Sequence, residues 1–483
     1  MKKIFYYILP LCLLWAGCSD FLEYKDKDKI IPTELKHYNE LIYGELMKKT
    51  SKDEMIYMQM MTDEVVSFVK PLSSGERTDS RRKYFSYFTW AVNEQLDQDE
   101  QEHNDITWAH FYHKILMCNI IENDLEAIEY DSEGVKKRLL GEVKFLRAMS
   151  YYYLVNLYGE PYKNKEQAKT ALGVPINEAI SLEQEIYKRT TLQKTYDLIE
   201  ENLKNAITLL NEGEQLNTIF RPNVHVARLF LSRIYLYEKE WEKALTTCNE
   251  LLTESQARVG NRENMSKYIS EKKVLYNSDN NSLLFSWGER DNNILSYNTT
   301  DAGHWEVNPE LKNMYIPGDI RGSAFFSEYY YYPNKYFASS NSARTCYSWS
   351  YRIEEAYLNR AEACIELGDA THLQQAISDI YAIRQNRIDG DYELQASSKE
   401  EIRKAFRDEK KMEFCFEDVR WFDIRRWEIE ITHKVHNINI PEKYDTYVLK
   451  AGSPNYILSI PLEVQKVNYL IEKFEREETL VSK

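Results

Sequence analysis

Hydrophobic residues recur every three to four positions over most of this chain, the period of a helix face buried against a neighbour. The clearest run is 135–158. There Leu139, Val143, Leu146, Met149, Tyr153 and Leu157 fall on one stripe, and Gly159 with Pro161 ends it. Further helices are predicted over 35–62 (Leu41, Met47, Met55, Met58, Met61) and 105–129 (Ile106, Phe111, Ile115, Met117, Ile121, Leu125). Another covers 190–211, where Thr190 or Thr191 offers an N-cap. Residues 222–254 read as a helix pair. The period is lost over 67–104 and again over 256–350, where Asn, Ser, Tyr and Gly crowd together and Ser282 to Trp287 reads as a strand or ordered loop. Loop-rich excursions from a rigid scaffold usually carry function.

The 222–254 pair fits a tetratricopeptide template. Leu231-Ser232, Tyr235, Ala244 and Cys248 take its large, small, aromatic, small and bulky places, and Trp241 stands at the turn. A second unit is legible over 351–387 in Ala361, Ala363, Gly368 and Ala376, with a turn a few residues too long for the strict repeat. The fold class is therefore mainly α, built from tetratricopeptide-like helix pairs with a loop-rich insertion. Scarce Gly (16) and Pro (12), and the lack of a Pro/Gly/Ser-rich linker, favour one domain over 35–483.

The N-terminus reads as an export signal. Lys2 and Lys3 precede the apolar stretch Ile4 to Trp15, which Pro10 interrupts and which is shorter than the about 20 residues a membrane-spanning helix needs. Ala16-Gly17 stands directly before Cys18, the arrangement of a lipoprotein signal, so residues 1–17 are expected to be removed and Cys18 acylated. Residues 18–34, with Lys25-Asp26-Lys27-Asp28-Lys29, are too polar to pack and suit a tether.

Formal net charge is −15, and −17 once residues 1–17 with their two lysines are gone, which repels nucleic acid and anionic headgroups and suits neutral ligands. Cys118, Cys248, Cys346, Cys364 and Cys415 show no paired spacing and read as buried thiols. No GxSxG, Walker loop or Rossmann fingerprint is present. His103, His110 and His113 cluster without an HExxH, so neither metal nor other cofactor is called for.

Sugar binding asks for flat aromatic faces ringed by hydrogen-bonding side chains. Trp421, Trp427, Trp108 and Trp241 lie in helical patterns; Trp90, Trp287, Trp305 and Trp349 lie in the irregular regions, the last three with Tyr297 and Tyr315. These six aromatics, Trp90, Trp287, Tyr297, Trp305, Tyr315 and Trp349, are the candidate ligand contacts.

Five stretches together resemble the SusD/RagB family of outer-membrane lipoproteins, over residues 18 to about 475. They are Cys18-Ser19-Asp20-Phe21-Leu22-Glu23; Gly141 to Ala148 continuing through Tyr158-Gly159 to Tyr162; Arg352 to Ala363 with Ile383-Arg384; Glu409 to Phe414 with Arg420-Trp421-Phe422-Asp423-Ile424-Arg425-Arg426-Trp427; and Tyr456 to Pro461. Where that family usually has Glu-Arg, this chain has Glu409-Lys410. Within the arginine-rich motif Arg420, Asp423 and Arg426 are spaced three apart, which predicts ion pairs clamping adjacent helices. The resemblance implies a non-enzymatic glycan binder, lipid-anchored on the outer membrane and facing outward, with a SusC-like TonB-dependent transporter barrel as partner. Two other classes stand beside it: a tetratricopeptide adaptor lipoprotein in outer-membrane assembly, and a surface glycoside hydrolase, for which 77 acidic residues fix no pair at a chosen separation.

Overall fold

A computed structural model describes residues 32–482 apart from 49–54, 68–78, 103–104, 182–185, 272–278, 289–304, 327–334, 336–348, 438–439 and 441. Twelve α-helices of seven residues or more stand among the described residues: α1 (Leu35–Leu41), α2 (Asp79–Phe88), α3 (Thr107–Ala127), α4 (Glu133–Tyr158), α5 (Leu192–Glu212), α6 (Val224–Tyr237), α7 (Trp241–Glu254), α8 (Arg262–Ser270), α9 (Ile353–Leu367), α10 (Ala370–Arg384), α11 (Lys399–Glu413) and α12 (Arg420–Arg426). None is long and apolar enough to cross a membrane. The strands are β1 (Val65–Ser67), β2 (Leu283–Trp287), β3 (Trp305–Val307), β4 (Trp349–Arg352), β5 (Ile431–His436), β6 (Tyr444–Leu449) and β7 (Leu480–Ser482).

The scaffold is a ladder of helices, each packed on the next: α3 on α4, α4 on α5, then α6, α7, α9 and α10, with α11 against the last two. Several helix starts are set by a capping side chain. Ser132 accepts from Val135 N to start α4, Thr191 accepts from Lys194 N to start α5, and Asn223 accepts from His225 N and Val226 N to start α6. Of the two candidate threonines, Thr191 is the cap.

Both predicted helix pairs form. In each, the second helix begins seventeen residues after the first, so the turn expected to be too long in the second pair is not. Gly368 shortens it by taking φ +77°, the left-handed conformation that closes α9 in two residues, and a Cβ there would meet the Lys399 ammonium at 2.5 Å. Ala244, Ala361, Ala363 and Ala376 are fully buried, letting neighbouring helices approach closely.

Two other expectations are corrected. The 35–62 helix is α1 running into a π-helix at Ile42–Lys48, followed after an undescribed stretch by a 3-10 turn at Ile56–Met61. The 67–104 region contains α2, ten residues long, which buries Tyr84, Tyr87 and Phe88. The sheets are small and antiparallel: β1 with β3, β2 with β4, and β5-β6-β7. The first two join segments more than sixty residues apart, pinning the ends of the irregular region to the helical body. The main core runs through both, and a second apolar cluster fills the space between α9, α10 and α11. Cys118, Cys248, Cys364 and Cys415 are free and buried, and Cys346 lies outside the described residues.

Candidate functional site

The arginine-rich motif on α12 clamps the scaffold, by a different pairing than its spacing suggests. Asp423 takes Arg426, as expected, and Lys410 from α11 at 3.1 Å. Arg420 instead reaches Asp63 through two 2.8 Å hydrogen bonds, joined there by Lys411 at 2.8 Å. Arg426 also forks onto Glu362 of α9, whose Oε1 accepts from the Trp427 indole at 3.1 Å. Lys410 gives Asp423 a single-point contact where an arginine could give two.

The six aromatics divide by what packs on them. Trp90 is 0% exposed, donates its indole N–H to Met61 O at 3.0 Å and stacks on His433 at 4.3 Å. Trp287 and Trp349, 2% and 5% exposed, stand opposite each other on β2 and β4 and stack at 4.5 Å, with the buried Lys114 ammonium 4.4 Å over Trp287. Trp305, 2% exposed, leans on Phe88 at 4.5 Å. Tyr315 is half-buried and donates its hydroxyl to Met412 O at 2.8 Å, fixing the chain to the end of α11. Tyr297 and the anchor candidate Cys18 lie outside the described residues. Trp90, Trp287, Trp305 and Trp349 are thus all packed in this structure, because short strands pairing across the irregular region bury rings that a local reading places in loops. The indole N–H groups of Trp305 and Trp349 are buried without a partner, beside the ends of segments 289–304 and 336–348.

Sequence reasoning missed a cleft of about 450 Å³ between the loop after Trp90 and the chain's last fifty residues, lined by polar and apolar side chains alike; Asn93, Gln95, Gln465, Lys473, Phe474 and Glu475 are among them. Trp90 turns the chain with φ +49°, and Asn455 holds its carbonyl at 2.7 Å. Two buried side chains then fasten the loop to the C-terminal Ile-Pro segment. Glu94 accepts from Ser459 N at 2.7 Å and pairs with Arg476 at 3.1 Å, while Gln95 donates to Ser459 O and Ile460 O, both 2.9 Å, and accepts from Leu462 N at 2.8 Å. The only sequence signal for the cleft was Asn93 after Trp90; its other wall lies about 370 residues further on.

No group of three or more His, Cys, Asp or Glu side chains suited to a metal occurs among the described residues. His110 and His113 lie on α3, with His113 3.4 Å from Glu45.

Comparison with known proteins agrees with this scaffold. Two family models match end to end: one described as starch-binding and associating with the outer membrane over residues 20–236, and the SusD family over 235–469. The chain belongs to the SusD family. It is 22% identical over 250 residues to a SusD-like protein of Formosa agariphila, half of this chain and 44% of that one; it spans about half the length of the curated relatives it matches. The fold is that of a SusD superfamily protein from Bacteroides thetaiotaomicron, with TM-score 0.71 at 20% identity over 91% of this chain and 97% of that one. A SusD-like carbohydrate binding protein from Bacteroides vulgatus superimposes with TM-score 0.65 at 18% identity, covering 91% and 98%.

Proposed function

We propose that this chain is a surface-exposed lipoprotein, cleaved after residue 17, acylated at Cys18 and tethered by residues 18–34, whose single domain over 35–483 binds glycan and passes it to a SusC-like TonB-dependent barrel. Binding is without catalysis. The observation that carries the reading is SusD family membership across 20–469, a span that includes both irregular regions. Support comes also from the B. vulgatus structural relative, which is described as carbohydrate binding. Trp287 and Trp349 stack on each other at 4.5 Å, and Trp305, Tyr315 and Tyr297 belong to the same irregular stretch of the sequence.

The test is a screen of the mature chain against polysaccharides and oligosaccharides, with calorimetry on any hit and product analysis after incubation. Saturable binding without product is the expected result; cleavage of the bound glycan would make it a hydrolase, and silence across the panel would favour peptide capture or an assembly adaptor. Co-purification with a β-barrel from outer membranes, lost in Cys18→Ala, tests the partner and the anchor together.

A further inference from the structure

We infer that the cleft between residues 92–96 and 459–476 is a saccharide subsite that takes one or two neutral sugar units of a glycan chain. The inference rests on the reading of the chain as a glycan binder and assigns that binding to residues outside the aromatic set. Its volume of about 450 Å³ lies in the range of small-molecule sites, roughly 300–1,000 Å³.

The walls have two kinds of polar group. Glu94, Gln95 and Arg476 are spent on the backbone and on each other, which makes the floor rigid before any ligand arrives. Asn93, Lys473 and Glu475 are exposed and make no side-chain hydrogen bond or ion pair among the described residues, leaving an amide, an ammonium and a carboxylate to meet hydroxyls. Phe474 lines the same cleft with its ring held against the Arg189 guanidinium at 4.7 Å, offering apolar area for the C–H surface of a pyranose. Two carboxylates, Glu94 and Glu475, balance two cations, Lys473 and Arg476. A balanced lining on a chain of net charge −15 favours a neutral ligand over an acidic one.

The experiment titrates the mature chain with glucose, galactose, mannose, N-acetylglucosamine, maltose and cellobiose, and with galacturonate as the acidic control, by saturation-transfer NMR and calorimetry. Any polysaccharide that binds is added to the set. Asn93→Ala with Lys473→Ala, both exposed, should weaken the neutral ligand by about tenfold or more while the melting temperature stays put. Unchanged affinity in that double variant overturns the cleft and leaves glycan binding standing, as does a preference for galacturonate. Absence of binding by every sugar and polysaccharide overturns both.

Discussion

Asp63 and Glu64 are adjacent in sequence and carry opposite electrostatics. Burial opposes the charge on Asp63, but Arg420 and Lys411 hold its carboxyl well below the usual carboxylate range. Glu64 has no such partner. Its oxygens meet the Phe416 N–H at 3.2 Å and the Thr62 hydroxyl at 3.4 Å, and burial, then the charge of Asp63, push it up to about 7. A carboxyl whose folded value is raised binds its proton more tightly in the folded state. Its contribution to stability is complete below the ordinary 4.5 and is lost as pH rises through about 7. That gap corresponds to roughly 3 kcal/mol. Glu64→Gln should therefore unfold later than the parent in urea at pH 8, and the difference should vanish by pH 4.5. Equal denaturation midpoints at pH 8 would mean that Glu64 is not held protonated. Nothing in the local sequence reveals this, because the residues that separate the two carboxyls come from positions more than 340 residues away.

At the scale of elements, the long helices were legible because large apolar residues recur along them every three to four positions: α3, α4 and α5 fall within two residues of the expected ends, and both tetratricopeptide-like pairs form, the second with a shorter turn than its sequence suggests. The failures share a cause. α2 has ten residues, the π-helix at 42–48 seven, and β1 and β2 three and five, each too short for its period to stand out. Trp305 and Trp349 looked available because their strand partners, Ser67 and Trp287, lie far off in sequence. Gly141 shows how a motif residue can be structural. It sits inside α4, where alanine would ordinarily gain about 0.5–1 kcal/mol. Here a Cβ would stand 2.7 Å from Leu210 Cγ and 3.1 Å from its backbone nitrogen, at the crossing of α4 and α5. Gly141→Ala is expected to destabilise by roughly 1–3 kcal/mol in chemical denaturation. Adding Leu210→Ala should cost less than its effect in the parent, since it vacates the space the new methyl needs. Additive losses would place the strain elsewhere.

Over the whole molecule, one carboxylate joins the pieces that chain order separates. Glu413 ends α11 fully buried and accepts from Arg352 at the end of β4 (2.7 Å), from Arg387 beyond α10 (2.8 Å) and from Arg321 in the irregular region (3.1 Å). Arg321 continues to Asp319 and Glu409, Arg387 to Glu354, and Arg352 to Glu417, which Lys335 meets at 2.7 Å. Burial alone would raise Glu413, and the three guanidiniums overcome it and hold the carboxyl well below its ordinary range. The network is thus a weld between the repeat scaffold and the irregular region that carries Arg321 and Lys335. Removing its central charge leaves three buried cations short of compensation, and breaking such a buried pairing costs about 3–5 kcal/mol. Glu413→Gln keeps the shape and loses the charge, so its unfolding transition should fall by several degrees. Glu400→Gln, which breaks only an exposed contact with Arg403, should leave the transition where it was. If the excursion were held by its apolar strands alone, both variants would melt together with the parent; if the weld carries it, Glu413→Gln should also make the 256–350 region the first to be cut by protease.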